Sequence, residues 1–179
     1  AKYYDIMYAK NGRIDYVSLV KFLNRFFKRY KCKKILDVGC GTGKATIMLH
    51  NLGYDIQGTD VNNGMLSVAR QKSSKIKFFQ SDMRKIETRE KFDAVFISFR
   101  AFAYMVTNED AEKAIASINR VLKNNGFLIF DNFYAKTVIM GKIKSGEMTR
   151  RDLLKARQGN VNIIRQSSSI TQLDDCVTM

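Results

Sequence analysis

Three carboxylates and three glycines carry the chemistry legible in this chain. Asp37, Asp60 and Asp82 each close a short apolar run, in "KKILDVG", "YDIQGTD" and "KIKFFQSD". Gly39, Gly41 and Gly43 break "ILDVGCGTGKATIML" straight after the first of them. Glycine costs backbone entropy, so such a cluster needs a purpose: a tight strand-to-helix turn, or close approach of a ligand to the backbone. The natural occupant is nucleotide-like. A carboxylate ending the second strand accepts from ribose hydroxyls, and one ending the third can accept from an exocyclic amine such as that of adenine. Asp60 then serves the ligand, so its replacement is expected to leave stability nearly untouched.

The spelling separates the possible ligands. A Walker loop needs GxxxxGK followed by Ser or Thr, and "GCGTGKAT" has neither the spacing nor the hydroxyl. A dinucleotide turn reads GxGxxG. Here it is GxGxG, with Asp37 two residues ahead of the first glycine. A carboxylate at that place repels a pyrophosphate and suits an ammonium group.

Elements must bring these residues to one edge. Asp15 is a plausible N-cap for a helix to about Tyr30, with Val17, Val20, Leu23 and Phe27 inward and Lys21, Arg25 and Lys28 on a solvated face. The spacing predicts a strand at "KKILDVG", a helix over 44–52 stopped by Gly53, and a strand ending at Asp60. A helix opened by Asn62 or Asn63 follows, then strands at "KIKFFQSD" and "FDAVFIS". Thr107 or Asn108 caps a helix whose face is Ala111, Ile115, Ile118 and Leu122; "NNG" ends it before the strand "FLIFD". Strands alternating with helices predict an α/β fold: a Rossmann-like, doubly wound, mostly parallel sheet in a three-layer sandwich. Beyond Asp131, the segment over 135–159 reads as helical or mobile, 160–173 as a strand, Asp174-Asp175 as a turn and "CVTM" as a returning strand. The antiparallel hairpin is therefore expected to be incomplete, in a longer native protein. One domain over 1–179 is expected: an N-terminal segment and helix over 1–31, a ligand-binding core over 32–134, and a C-terminal helix with terminal strands over 135–179.

"ILDVGCGTG", Asp60, "SDM" at 81–83 and "FDAVFIS" together resemble the class I S-adenosylmethionine-dependent methyltransferases, over roughly residues 30–134. The resemblance implies S-adenosyl-L-methionine as cofactor. It assigns the methionine part to Asp37 and the turn Gly39, Cys40, Gly41 and Gly43. It places the ribose on Asp60, with Val61 or Asn62 beside the adenine. The adenine amine goes to Asp82 and a ring nitrogen to the Met83 backbone, while Ser98 and Phe99 close over the methionine end. Tyr4 and Tyr8 resemble the aromatic lid of members that act on small molecules. The segment "KNNGFLIFDNFY" and the tail resemble small-molecule N-methyltransferases, amino-sugar N,N-dimethyltransferases among them. That implies methyl transfer to a small-molecule acceptor, with an amine favoured.

No catalytic constellation stands out. The [DN]PP[YF] signature of members that methylate exocyclic amines in DNA or glutamine amides is missing from "SFRAFAY", and none of the three cysteines stands after the fourth strand where cytosine-C5 enzymes need one. Tyr104 and Asp131, with Asn132 and Tyr134, are the candidate bases at the ligand edge, and Arg100 could pair with an acidic group on an acceptor. His50 falls at the far end of its helix. No His/Asp/Glu cluster points to a metal. The net charge of +14 raises an RNA-modifying enzyme as an alternative, though the lysines are scattered; a non-enzymatic cofactor-binding module is the other. Cys32, Cys40 and Cys176 read as reduced thiols. With no apolar run long enough to span a membrane or form a signal peptide, a cytoplasmic monomer or homodimer is expected.

Overall fold

Alternation along the first strand decides the layering. In β1 (Lys34–Val38), Ile35 packs with Leu23, Phe27, Leu49 and Phe96, whereas Leu36 and Val38 pack with Val95, Ile118 and Val121. Successive side chains point to opposite faces, so a strand with buried apolar side chains on both faces must be covered on both. The computed structural model describes residues 4–8, 15–131, 149–158 and 161–170. In it, α2 (Tyr16–Arg29) and α3 (Lys44–Asn51) cover one face and α5 (Asn108–Val121) the other. β2 (Asp55–Asp60), β3 (Phe78–Gln80), β4 (Phe92–Ile97) and β5 (Leu122–Phe130) complete a sheet of order β3-β2-β1-β4-β5, parallel at every pairing. α4 (Asn63–Lys72) sets Leu66 and Ala69 against Phe78 of β3.

The chain steps outward from β1 to β3, then returns to lay β4 on the other side of β1. Strand order reverses there, and in such sheets the crevice beyond the strands' carboxyl ends at that point takes the ligand. The expected doubly wound sheet is therefore present, with its three aspartates on that edge.

Caps fall where expected. Asp15 accepts from the Ser18 N–H at 2.9 Å, Asn62 from Met65 at 3.2 Å and Thr107 from Asp110 at 3.1 Å. Two helix faces are rotated from expectation. Val17 is 53% exposed and Tyr16 takes its place inward, edge-on to Phe99. On α5 the buried face is Ala114, Ser117, Ile118 and Val121, while Ile115 is 41% exposed. The cause is polar. The Ser117 hydroxyl accepts the Ile86 N–H at 2.7 Å, and a buried N–H needs such a partner. Hydropathy alone would have put Ser117 outside.

β5 begins at Leu122, directly after α5, and not beyond "NNG". Leu122 pairs with Phe92 and Phe127 with Ala94, so residues 123–126 bulge opposite Asp93. That carboxylate takes Lys123 at 2.7 Å. β3 is shorter than expected because it pairs only over Gly58 to Asp60 of β2.

The chain divides into two compact units, Ala1–Asn132 and Phe133–Met179. In the second, β6 (Thr149–Gln158) and β7 (Val161–Ile170) form an antiparallel pair. The expectation of a helix or mobile segment is thus corrected over 149–158. Leu153, Leu154, Lys155 and Ala156 favour helix locally, but the β-rich partner "VNIIRQSSSI" overrides that preference. Gln158 pairs with Val161 at one end of this ladder and Thr149 with Ile170 at the other. The expected turn at Asp174-Asp175 and the returning strand at 176–179 lie outside the described residues, as do Asn132, Tyr134 and Cys176. No described helix is long and apolar enough to cross a membrane.

Candidate functional site

The glycine turn is sewn to the second strand. The Gly39 and Cys40 N–H groups both donate to the Thr59 carbonyl, at 2.8 and 3.0 Å. The Gly41 N–H donates to Asp60 Oδ2 at 2.9 Å, and Asp60 Oδ1 accepts the Asn62 N–H at 2.8 Å. Asp60 therefore has a structural duty that spacing did not disclose: it anchors the turn and the entry to α4.

Two of the glycines are needed for different reasons. Gly43 caps α3 with φ +73°, and a Cβ there would lie 2.8 Å from Phe78 Cζ and 3.0 Å from Ala69 Cβ. Gly41, at φ +56°, would carry a Cβ that meets nothing within 4 Å. Gly43 is thus required by packing between α3, α4 and β3, whereas Gly41 faces open space in the cavity. Gly43→Ala should destabilise the fold by about 1–3 kcal/mol through crowding and backbone strain. Gly41→Ala should cost only the left-handed backbone, about 1–2 kcal/mol, while narrowing the cavity. Urea unfolding of the two variants reads the difference; equal losses with unchanged ligand affinity would contradict it.

Around this turn lies a cavity of about 470 Å³, within the usual range for small-molecule sites. Asp37, Asp60 and Asp82 line it, together with Gly39, Cys40, Gly41, Val61, Met83, Ser98, Phe99, Tyr4 and Tyr104. The expected residues from four strand ends are thereby brought together. Of those expected there, Gly43 packs behind the turn and Asp131 is not among the lining residues. His50 is in the last turn of α3, also outside the lining.

Asp37 is 1% exposed. Its Oδ2 accepts the Thr46 hydroxyl at 2.6 Å, and Oδ1 has no partner. Burial pushes its carboxyl up to about 7, and the nearby Asp60 adds to that. Asp82 is differently placed. Arg84 grips both its oxygens, through Nε at 3.0 Å and Nη2 at 2.6 Å, and holds it below the usual carboxylate range. Arg84 also reaches Asp110 on α5 at 2.9 Å. Cys40 is a free thiol pushed well up by burial, and Cys32 is likewise free and raised by burial.

Sequence reasoning missed several wall residues. Tyr16 lines the cavity with Lys44 Nζ 4.9 Å from its ring centroid; its spacing with Val20, Leu23 and Phe27 was the available signal. Arg84, Met65 and Met105 also line it and had none, while Thr42 does so from within the glycine turn itself. α1 (Tyr4–Tyr8) is pinned by Asp5, which accepts the Thr42 hydroxyl at 2.6 Å and pairs with Lys72 of α4. That fixes Tyr4 at the cavity.

Asp131 and Tyr104, the candidate bases, part company. Tyr104 is 79% exposed in the 3-10 turn Ala101–Tyr104, at the cavity rim. Asp131 turns both oxygens to backbone: Oδ2 accepts the Phe99 N–H at 3.1 Å and Oδ1 the Arg100 N–H at 2.7 Å. Among the described residues no group of three or more potential ligands could hold a metal ion.

Residues 35–126 match the family model of the methyltransferase domain. The chain is 42% identical over 102 residues to the protein YqeM of Bacillus subtilis (strain 168), covering 55% of this chain and 41% of that one. It is 27% identical over 154 residues to dTDP-3-amino-3,4,6-trideoxy-alpha-D-glucopyranose N,N-dimethyltransferase of Streptomyces venezuelae, covering 85% and 65%. Among solved structures, Streptomyces venezuelae DesVI superposes with a TM-score of 0.74 at 22% identity, over 95% of this chain and 81% of that one. The chain spans about half the length of the curated relatives it matches.

Proposed function

Because the chain belongs to the methyltransferase domain family, we propose that it binds S-adenosylmethionine and directs a methyl group to a small-molecule acceptor, an amine by preference. One observation carries the cofactor reading. In a chain of net charge +14, the cavity at the strand ends is lined by three aspartates against one arginine, and that arginine is already paired with Asp82 and Asp110. Such a site favours a cationic ligand over a pyrophosphate.

The residues fit the cofactor. The open space beside Gly41 leaves room for the ligand to approach the backbone. Asp37, with its unpartnered oxygen, would favour an ammonium nearby. Asp60 retains acceptor capacity for ribose hydroxyls beyond its two backbone partners. Asp82 and the Met83 backbone would take the adenine edge, with Val61 alongside. Ser98, Phe99, Tyr4 and Tyr16 would wall off the methionine end and exclude water. The cofactor itself supplies the activated methyl group. This chain's share is alignment, and an amine acceptor asks for little more than deprotonation. Tyr104 at the exposed rim is the candidate to orient the amine through its phenol oxygen, and the proton leaves to solvent. The amine preference rests on the N,N-dimethyltransferase likeness.

Calorimetry with S-adenosylhomocysteine and NAD tests the cofactor half. Binding of the first and not the second is expected; NAD binding alone would overturn it. Labelled-methyl transfer then tests the acceptor: incorporation into amino sugars supports the proposal, and incorporation only into RNA refutes it.

A further inference from the structure

We infer that Asp131 is a positioning residue that clamps the cavity wall formed after β4, acting through Phe99 and Arg100 and not as a base. Phe99 has φ +56° and Arg100 φ +66°. Two consecutive side-chain-bearing residues in the left-handed region are strained, and such strain persists only where the surroundings over-determine it. Here the over-determination is visible. Both strained residues aim their N–H groups at the one carboxylate, Arg100 at 2.7 Å and Phe99 at 3.1 Å, and hydrogen bonds to a carboxylate are stronger than neutral ones. The carboxylate is itself anchored, because the Asp131 N–H continues the β4–β5 ladder by donating to the Ile97 carbonyl at 3.3 Å.

What the clamp holds is functional surface. Phe99 lines the cavity and packs edge-on against Tyr16, with ring centroids 4.8 Å apart. Arg100 opens the 3-10 turn that carries Ala101 and Tyr104 to the cavity. Ala101 backs so closely on the glycine turn that a Cβ on Gly39 would sit 2.9 Å from its own. Release of the clamp lets Phe99 and Arg100 relax toward ordinary φ, and that withdraws the wall from both Tyr16 and the glycine turn. Asp131 thus sets the wall's position without touching the ligand, a role that rests on the cofactor reading above only for its binding readout.

The test compares Asp131→Ala, Asp131→Asn and the double variant Asp131→Ala/Arg100→Gly. Amide exchange at Phe99 and Arg100, followed by NMR with Val95 as a core reference, reads the clamp with no ligand present. In Asp131→Ala both amides should exchange roughly tenfold faster or more, as expected for lost bonds to a charged acceptor. Asp131→Asn, nearly isosteric, should keep the protection of one amide, because one acceptor oxygen remains. S-adenosylhomocysteine affinity should fall several-fold in Asp131→Ala. It should recover in part in the double variant, because glycine enters the left-handed region without steric cost at one of the two strained positions. A merely structural role at the end of β5 would not be rescued by glycine one loop away. Unchanged exchange in Asp131→Ala, or no recovery in the double variant, overturns the inference. Failure of the wild type to bind S-adenosylhomocysteine would instead sink the cofactor reading, and the exchange experiment would still decide the clamp.

Discussion

Asp60→Ala should weaken S-adenosylhomocysteine binding by roughly 10- to 150-fold and lower stability as well. Loss of a hydrogen bond to a charged acceptor is worth about 1.5–3 kcal/mol, which gives the affinity range. The stability loss follows from the apo protein. The Asp60 carboxylate satisfies the Gly41 N–H and the Asn62 N–H, so alanine leaves two backbone donors without their partner and frees the turn from β2. A loss of about 1–3 kcal/mol is expected from those donors. Asp60→Asn, with one oxygen left, should fall between. Calorimetry and chemical unfolding separate the two roles. Unchanged affinity beside a clear stability loss would confine Asp60 to structure, and the reverse would restore the simpler view that it serves the ligand alone.

That dual duty marks the boundary of what sequence could reveal. The positions of Asp37, Asp60 and Asp82 at successive strand ends were legible because apolar runs and glycine punctuation are local signals. So were the caps Asp15, Asn62 and Thr107, whose side chains bond only three residues along. The contacts that failed to show themselves are long-range. Asp131 meets Phe99 and Arg100 across about thirty residues of chain, and its carboxylate in sequence looks like any acid at a ligand edge. Ser117 turns inward for the Ile86 N–H, which no hydropathy period encodes. Thr149 to Gln158 has helix-favouring composition and is a strand because of its partner. Two of the scattered lysines, Lys34 and Lys77, meet on Glu90, a pairing that spacing does not disclose. Local chemistry names the groups, while the fold decides which of them remain available to a ligand.

Asp37 should give the protein a pH dependence that its asparagine variant lacks. Its carboxyl is carried from 3.8 to about 7, chiefly by burial. The folded chain therefore holds the proton over a window in which the unfolded chain has released it. Stability then falls as pH rises, because the native state binds more protons. The contribution is fully present below about pH 4 and is lost by about pH 7. Its full size is on the order of 4 kcal/mol between the two charge states. Glu90 has the opposite sign. Lys34, Lys77 and Gln57 hold it down to about 2, so its contribution is present above about 4.5 and is lost as pH falls toward 2. Comparison of wild type with Asp37→Asn cancels Glu90 and every other group. The Asn oxygen can still accept the Thr46 hydroxyl, so the packing is kept. Denaturant unfolding at pH 4.5 and pH 8 should show the wild type losing several kcal/mol relative to the variant across that interval. Curves that run parallel would mean that Asp37 ionises normally in its pocket. The ligand supplies the second half of the experiment. An ammonium beside Asp37 favours the ionised carboxylate, so S-adenosylhomocysteine should bind the wild type more tightly as pH rises from 5.5 to 8. Asp37→Asn should show no such rise. If both proteins bind with the same pH profile, Asp37 does not face the ligand's ammonium.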